Sequence, residues 1–138
     1  MKHINSILVL LCLMPAMLMA QQPKVTPLLS KVLADVPGKE VVMITVEFAP
    51  GGADAVHRHN AHGFVYVLEG SVVMQVKGGK QVTLTTGQTF TEGPDDIHIV
   101  GRNASSTKPA KILAFLVKNK DAPALVPVED VGGKAKPK

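Results

Sequence analysis

Between residues 40 and 117 the chain is cut again and again by glycine- and proline-bearing turn signals: Pro50-Gly51-Gly52, Glu69-Gly70, Gly78-Gly79, Gly87 and Gly93-Pro94. The pieces left between them are too short for helices that hold together by themselves, but long enough for strands. Their composition agrees. The segment 40–48 (EVVMITVEF) is rich in β-branched residues. Val72, Met74 and Val76 alternate with Gln75 and Lys77, and Val82 and Leu84 alternate with Gln81, Thr83 and Thr85. A period of two is that of half-buried antiparallel strands. Strands are expected over 40–48, 55–59, 64–68, 71–77, 80–85, 88–92, 97–100 and 110–117, with a last short edge over 126–131. Glu69-Gly70 and Gly78-Gly79 read as hairpin turns. The segment 110–117 (AKILAFLV) is apolar on both faces after Lys111, as in the middle of a sandwich. No stretch after residue 20 carries a helical stripe. The chain is therefore predicted to be all-β, a sandwich or closed barrel. Phe64 and Tyr66 on one strand, with Phe90 and Phe115 elsewhere, are expected to fill its core.

The rest of the chain flanks this block. Residues 1–20 (MKHINSILVLLCLMPAMLMA) begin with a positive residue, continue through an apolar run and end in small residues around Ala20, the plan of a cleaved secretory signal. The apolar run falls well short of the ~20 residues that span a bilayer. The one cysteine, Cys12, lies inside it, so an exported product has no disulfide and relies on its core. The expected location is the periplasm or the medium. Residues 21–39 read as a polar lead-in and a first short strand, 40–118 as the folded domain, and 119–138 as an extension ending in a solvated basic tail. Lys+Arg 15 against Asp+Glu 11 gives a formal charge of only +4, with no aromatic-plus-basic pattern, so nucleic acid is not an expected partner. After signal cleavage a membrane is not one either.

The histidines carry the chemistry. Outside the signal they fall in two places: His57, His59 and His62 in one segment, His98 in another. Residues i and i+2 of a strand share a face, so His57 and His59 present two imidazoles side by side, with Arg58 turned away. Imidazole is the commonest protein ligand of divalent transition metals, and His98 is the natural third corner. Paired histidines also occur as plain surface residues, and an isolated H-x-H leaves both readings open. His62 has three open roles: entering the coordination sphere, acting as acid or base near the metal, or pointing into water. Simple alternation from His59 places it on the opposite face unless a bulge resets the register.

The segment 51–70 (GGADAVHRHNAHGFVYVLEG) resembles the first motif of the cupin superfamily, G-x5-H-x-H-x3/4-E-x6-G, and the segment 86–103 (TGQTFTEGPDDIHIVGRN) resembles the second, G-x5-P-x-G-x2-H-x3-N. The resemblance implies a single jelly-roll β-barrel or sandwich, a homodimer, and one divalent metal (Fe, Mn, Ni, Cu or Zn) held inside the barrel by His57, His59 and His98. Two departures stand out. Gly63 occupies the place of the first motif's glutamate, and the second motif has Gly93, Pro94 and Asp95 in its entering loop with Asn103 one residue late. Glu69 and Glu92 are read as turn and strand-end residues, not as a replacement carboxylate, and Asp95 and Asp96 as a turn or edge-charge device rather than a catalytic pair. The expected centre thus has three neutral ligands and resembles that of the three-histidine cupin oxygenases. The implied function is an exported metal-binding protein, either a metal-dependent oxygenase of a small enolisable or phenolic compound or a non-catalytic module binding a small ligand or a metal.

Overall fold

The computed structural model describes residues 21–128. The expected signal over 1–20, the end of the edge expected over 126–131 and the basic tail over 132–138 lie outside the described residues. The chain forms ten strands: β1 (Lys24–Val32), β2 (Lys39–Phe48), β3 (His57–Arg58), β4 (Ala61–Glu69), β5 (Ser71–Val76), β6 (Val82–Thr85), β7 (Thr89–Glu92), β8 (His98–Asn103), β9 (Ala110–Asn119) and β10 (Val126–Pro127). They build two five-stranded antiparallel sheets, ordered β1-β2-β9-β4-β7 and β10-β3-β8-β5-β6. This is the all-β jelly-roll sandwich that the turn pattern predicts, with no α-helix among the described residues.

The core lies between the sheets. Val46, Phe48, Val65, Val67, Ile112 and Ala114 come from one sheet and Val72, Met74 and Leu84 from the other. Alternation along β9 buries Ala110, Ile112, Ala114 and Leu116, while the odd-numbered side chains between them are half-buried on the outer face. β9 sits at the centre of its sheet, paired over its length with β2 and over most of it with β4. Asn103 pins the end of β8 from the inside. Its buried amide donates to the carbonyls of Ala49 (3.0 Å) and Lys108 (2.8 Å), and its side-chain oxygen accepts from the Ser105 N–H (2.8 Å).

Several elements differ from expectation. The polar lead-in is not a lead-in from Lys24 onward: β1 spans nine residues and pairs with β2 from end to end. Pro27 is tolerated because β1 is an edge strand and its register shifts between Pro27 and Leu29. The strand expected over 55–59 shrinks to His57–Arg58, because β3 belongs to one sheet and β4 to the other. Asn60, in the left-handed region at φ 45°, turns the chain between them. Phe64 and Tyr66 do not fill the core. They are 48% and 44% exposed, on the outward half of the β4 alternation, where Phe64 meets Phe115 edge-on with centroids 6.3 Å apart. The start of the C-terminal extension returns to the sandwich as β10, which pairs with β3.

Candidate metal centre

Three strand facts bring the histidines together. β3 puts His57 directly opposite His98 of β8, the period of two puts His59 beside His57, and both strands face the interior at the corner where the chain changes sheets. One ring nitrogen from each of His57, His59 and His98 lies within 4.8 Å of the others. His57 and His98 are buried, and His59 is nearly so. The cluster lines a cavity of about 60 Å³, open to solvent beside Val25 and Leu125 and otherwise mostly apolar, with Val46, Val65, Met74 and Ile112 among its walls.

Hydrogen bonds set the tautomers. His57 Nδ1–H donates to the Ala55 carbonyl at 2.7 Å, and His59 Nδ1–H donates to the Ala124 carbonyl at 2.6 Å. A carbonyl only accepts, so each neutral ring carries its proton on Nδ1 and leaves Nε2 bare. The two Nε2 atoms are 3.1 Å apart, lone pair against lone pair. Glu92 adds a carboxylate to the same place. Its Oε1 is 3.3 Å from His59 Nε2, and its Oε2 is 3.8 Å from His98 Nδ1. Glu92 Oε2 and His98 Nε2 are both buried with no hydrogen-bond partner. Buried polar atoms are ordinarily paired. A set of convergent acceptors without hydrogens between them is what a cation satisfies, so these residues fit a metal ion.

Burial dominates the electrostatics. It pushes the His98 pKa down to about 4, with His57 adding to the effect, and it lowers that of His59 against the opposing bond from Ala124. Neutral imidazole, the ligating form, is thereby favoured. Burial raises the Glu92 pKa, His57 opposing and Asp96 reinforcing. Asp54, which lines the same cavity, is raised to about 6 by burial, with His57 opposing and Glu92 reinforcing.

The family model of the cupin domain, Cupin_2, matches residues 44–116. The chain belongs to the cupin family. Solved structures agree on the fold. An uncharacterized conserved protein with a double-stranded beta-helix domain from Klebsiella pneumoniae is 18% identical with a TM-score of 0.60, over 75% of this chain and 84% of that one. The DMSP lyase DddQ from Ruegeria pomeroyi is 18% identical with a TM-score of 0.57, over 67% of this chain. Oxalate oxidase in complex with glycolate is 26% identical with a TM-score of 0.56, over 76% of this chain. The cupin spans only 45% of the lyase and 54% of the oxidase. No curated protein matches it by sequence.

In this cupin the expected triad of His57, His59 and His98 comes together, but His62 does not join it. His62 follows the strict alternation of β4, exposed between buried Ala61 and Gly63, and the register shift of that strand lies further on, between Val67 and Glu69. The bulge needed to turn it inward is absent there. Glu92 closes β7, as the strand-end reading has it, but its side chain turns inward. Glu92 is 7% exposed and is the cross-strand partner of Gly63. A Cβ at Gly63 would stand 2.9 Å from Glu92 Cγ and 3.0 Å from its Oε1. A carboxylate thus approaches the three histidines from the neighbouring strand, across space that Gly63 leaves open. The alternating pattern of 88–92 held a signal for this: Glu92 has the parity of Phe90, an apolar residue of the inner face. Glu69 is exposed at its turn, and Asp96 accepts the Gly93 N–H at 2.7 Å, a turn device as expected.

Proposed function

We propose that this cupin is a mononuclear metal protein with His57, His59, His98 and Glu92 as ligands, acting as a metal-dependent oxygenase on a small enolisable compound. The single observation behind the reading is the convergence of bare acceptors: two Nε2 atoms 3.1 Å apart beside the Glu92 carboxylate. Bound there, a divalent ion supplies Lewis acidity toward an oxygen ligand. The Ala55 and Ala124 carbonyls keep His57 and His59 in the ligating tautomer, and Glu92 offsets one of the ion's two positive charges. The remaining charge favours an anionic ligand among the mostly apolar cavity walls. A cavity of about 60 Å³ suits an enolisable ligand of few atoms better than a phenolic ring system. That the neighbouring oxidase was solved with glycolate, a small acid, supports the same scale. The segment 1–20 supports export, and the exposed apolar face of β4 supports a homodimer.

Elemental analysis of metal-reconstituted protein tests the centre. Wild type and His62→Ala are expected to hold one ion per chain, His57→Ala and His98→Ala to lose it, and Glu92→Gln to bind at least about tenfold more weakly. Full stoichiometry in both His57→Ala and His98→Ala overturns the assignment. Oxygen uptake with small β-diketones tests the reaction. No uptake with Fe, Mn, Ni, Cu or Zn leaves a ligand-binding cupin in place of an oxygenase.

A further inference from the structure

Asp54 is the polar side chain on the cavity wall that the centre does not use. Its backbone is tied to β8: Ala53 bridges Arg102, and the Asp54 N–H donates to the Gly101 carbonyl at 2.7 Å. Its carboxyl leans over Gly101 on the same side as the His98 ring. A Cβ at Gly101 would stand 2.8 Å from Asp54 Oδ2, 3.1 Å from His98 Cε1 and 3.2 Å from His98 Nε2. The absence of a side chain at Gly101 is what lets the carboxyl and the imidazole share that space. Among the described residues nothing donates a hydrogen bond to this carboxyl, and no cation pairs with it. The carboxyl is half-buried beside the centre. It is aimed at the cavity without a partner from the protein.

We propose that Asp54 is a specificity-determining residue of this site, accepting a hydrogen bond from the hydroxyl of a small hydroxy acid or enol whose other oxygen occupies the metal centre. The inference rests on the metal reading above. The size of the cavity limits the ligand: about 60 Å³ has room for about four to six water molecules. A two-carbon hydroxy acid fits that space, with its carboxylate toward the histidines and its hydroxyl toward Asp54. The unreacted hydroxyl is then what the site reads, since an analogue without it leaves the Asp54 carboxyl unpaired.

The test uses cobalt-loaded protein, with glycolate and acetate as probes titrated against the visible cobalt bands. Wild type, Asp54→Ala and Asp54→Asn are each expected to hold one cobalt per chain. Asp54→Ala should lower the preference for glycolate over acetate by about tenfold or more, the effect of losing a hydrogen bond to a charged group. Asp54→Asn, which keeps an acceptor oxygen without the charge, should lower it by a smaller factor. Acetate affinity should stay within about twofold of wild type in both. Unchanged preference in both variants overturns the proposal, and so does loss of cobalt from folded variants, which makes Asp54 a ligand or a structural support. Failure of wild type itself to take up cobalt overturns the metal reading, and the inference with it.

Discussion

At the scale of single residues, the centre turns on a pair that shares one space. Gly63 and Glu92 face each other across β4 and β7, and the Glu92 side chain fills the volume a side chain at 63 would need. A glutamate added at 63 therefore collides with the Glu92 side chain, the carboxylate of the proposed centre. Gly63→Glu alone is expected to weaken metal binding by about tenfold or more, whereas the double variant Gly63→Glu/Glu92→Gly, which exchanges the carboxylate between paired positions, should recover most of it. Competition with a chelator reads both, and a double variant as weak as the single ones rules out the shared-space account. Two other residues set the acid behaviour of the metal-free protein. The His98 pKa falls from 6.5 to about 4 on folding, so between those values the unfolded chain binds a proton the folded chain refuses. Stability from this group is complete above about pH 6.5 and is lost as pH drops toward 4. Asp54 acts in the opposite direction. Its pKa rises from 3.8 to about 6, so the folded chain gains stability as pH falls through 6. Tm measured against pH should thus fall less steeply on acidification in His98→Asn than in wild type, and more steeply in Asp54→Asn.

At the scale of elements, the site depends on a strap beyond the matched family domain, residues 119–128. The buried Lys118 ammonium pairs with Glu40 and donates to the Ala122 carbonyl, and the Asp121 N–H donates to Glu40 at 3.3 Å. The hydrogen bond from Lys118 is the main cause that holds the Glu40 carboxyl below the usual range. From this anchor the chain runs to Ala124, whose carbonyl fixes His59, to Leu125 on the cavity wall, and to β10 against β3. Ending the chain after residue 120 should leave the sandwich folded, since its core lies in β2, β4, β5, β6 and β9. The same truncation should cost about 10- to 100-fold in metal affinity, because His59 loses the partner that orients it. Isothermal titration with zinc measures this, and an unchanged affinity shows that the strap takes no part in the centre.

At the scale of the whole molecule, the proposed metal and the proposed pairing with a second copy would each add stability beyond the core. An ion at 100 times its dissociation constant adds about 2.7 kcal/mol to the folded state, visible as a higher Tm in metal-loaded protein. The outward positions of β4, where alternation ordinarily places polar residues, hold Phe64 at 48%, Tyr66 at 44% and Leu68 at 41% exposure. Such a contiguous apolar stripe marks an interface more often than a solvated face. Sedimentation of the mature protein is expected to give a dimer, and Phe64→Lys/Tyr66→Lys a monomer with the same strand content. A monomeric wild type at micromolar concentration removes this face from the account.

The local code of this chain, read from the sequence, determined the class of fold, the hairpins, the central place of β9 and the side-by-side placing of His57 and His59, with His98 added to them by the family resemblance. These follow from short-range physics: glycine and proline at turns, a side-chain period of two, and motif spacing along one or two strands. Tertiary structure decided the rest. Whether His62 faces in or out depends on where the bulge of β4 falls, and no residue type announces it. Glu92 comes near the histidines only because β7 lies beside β4, so that its side chain reaches the space over Gly63 from another strand. Asp54 and Ala124 reach the site through single backbone contacts between segments distant in the chain. A sequence records which groups are present, but cross-strand register and the meeting of remote segments are set by the packing of the two sheets as a whole.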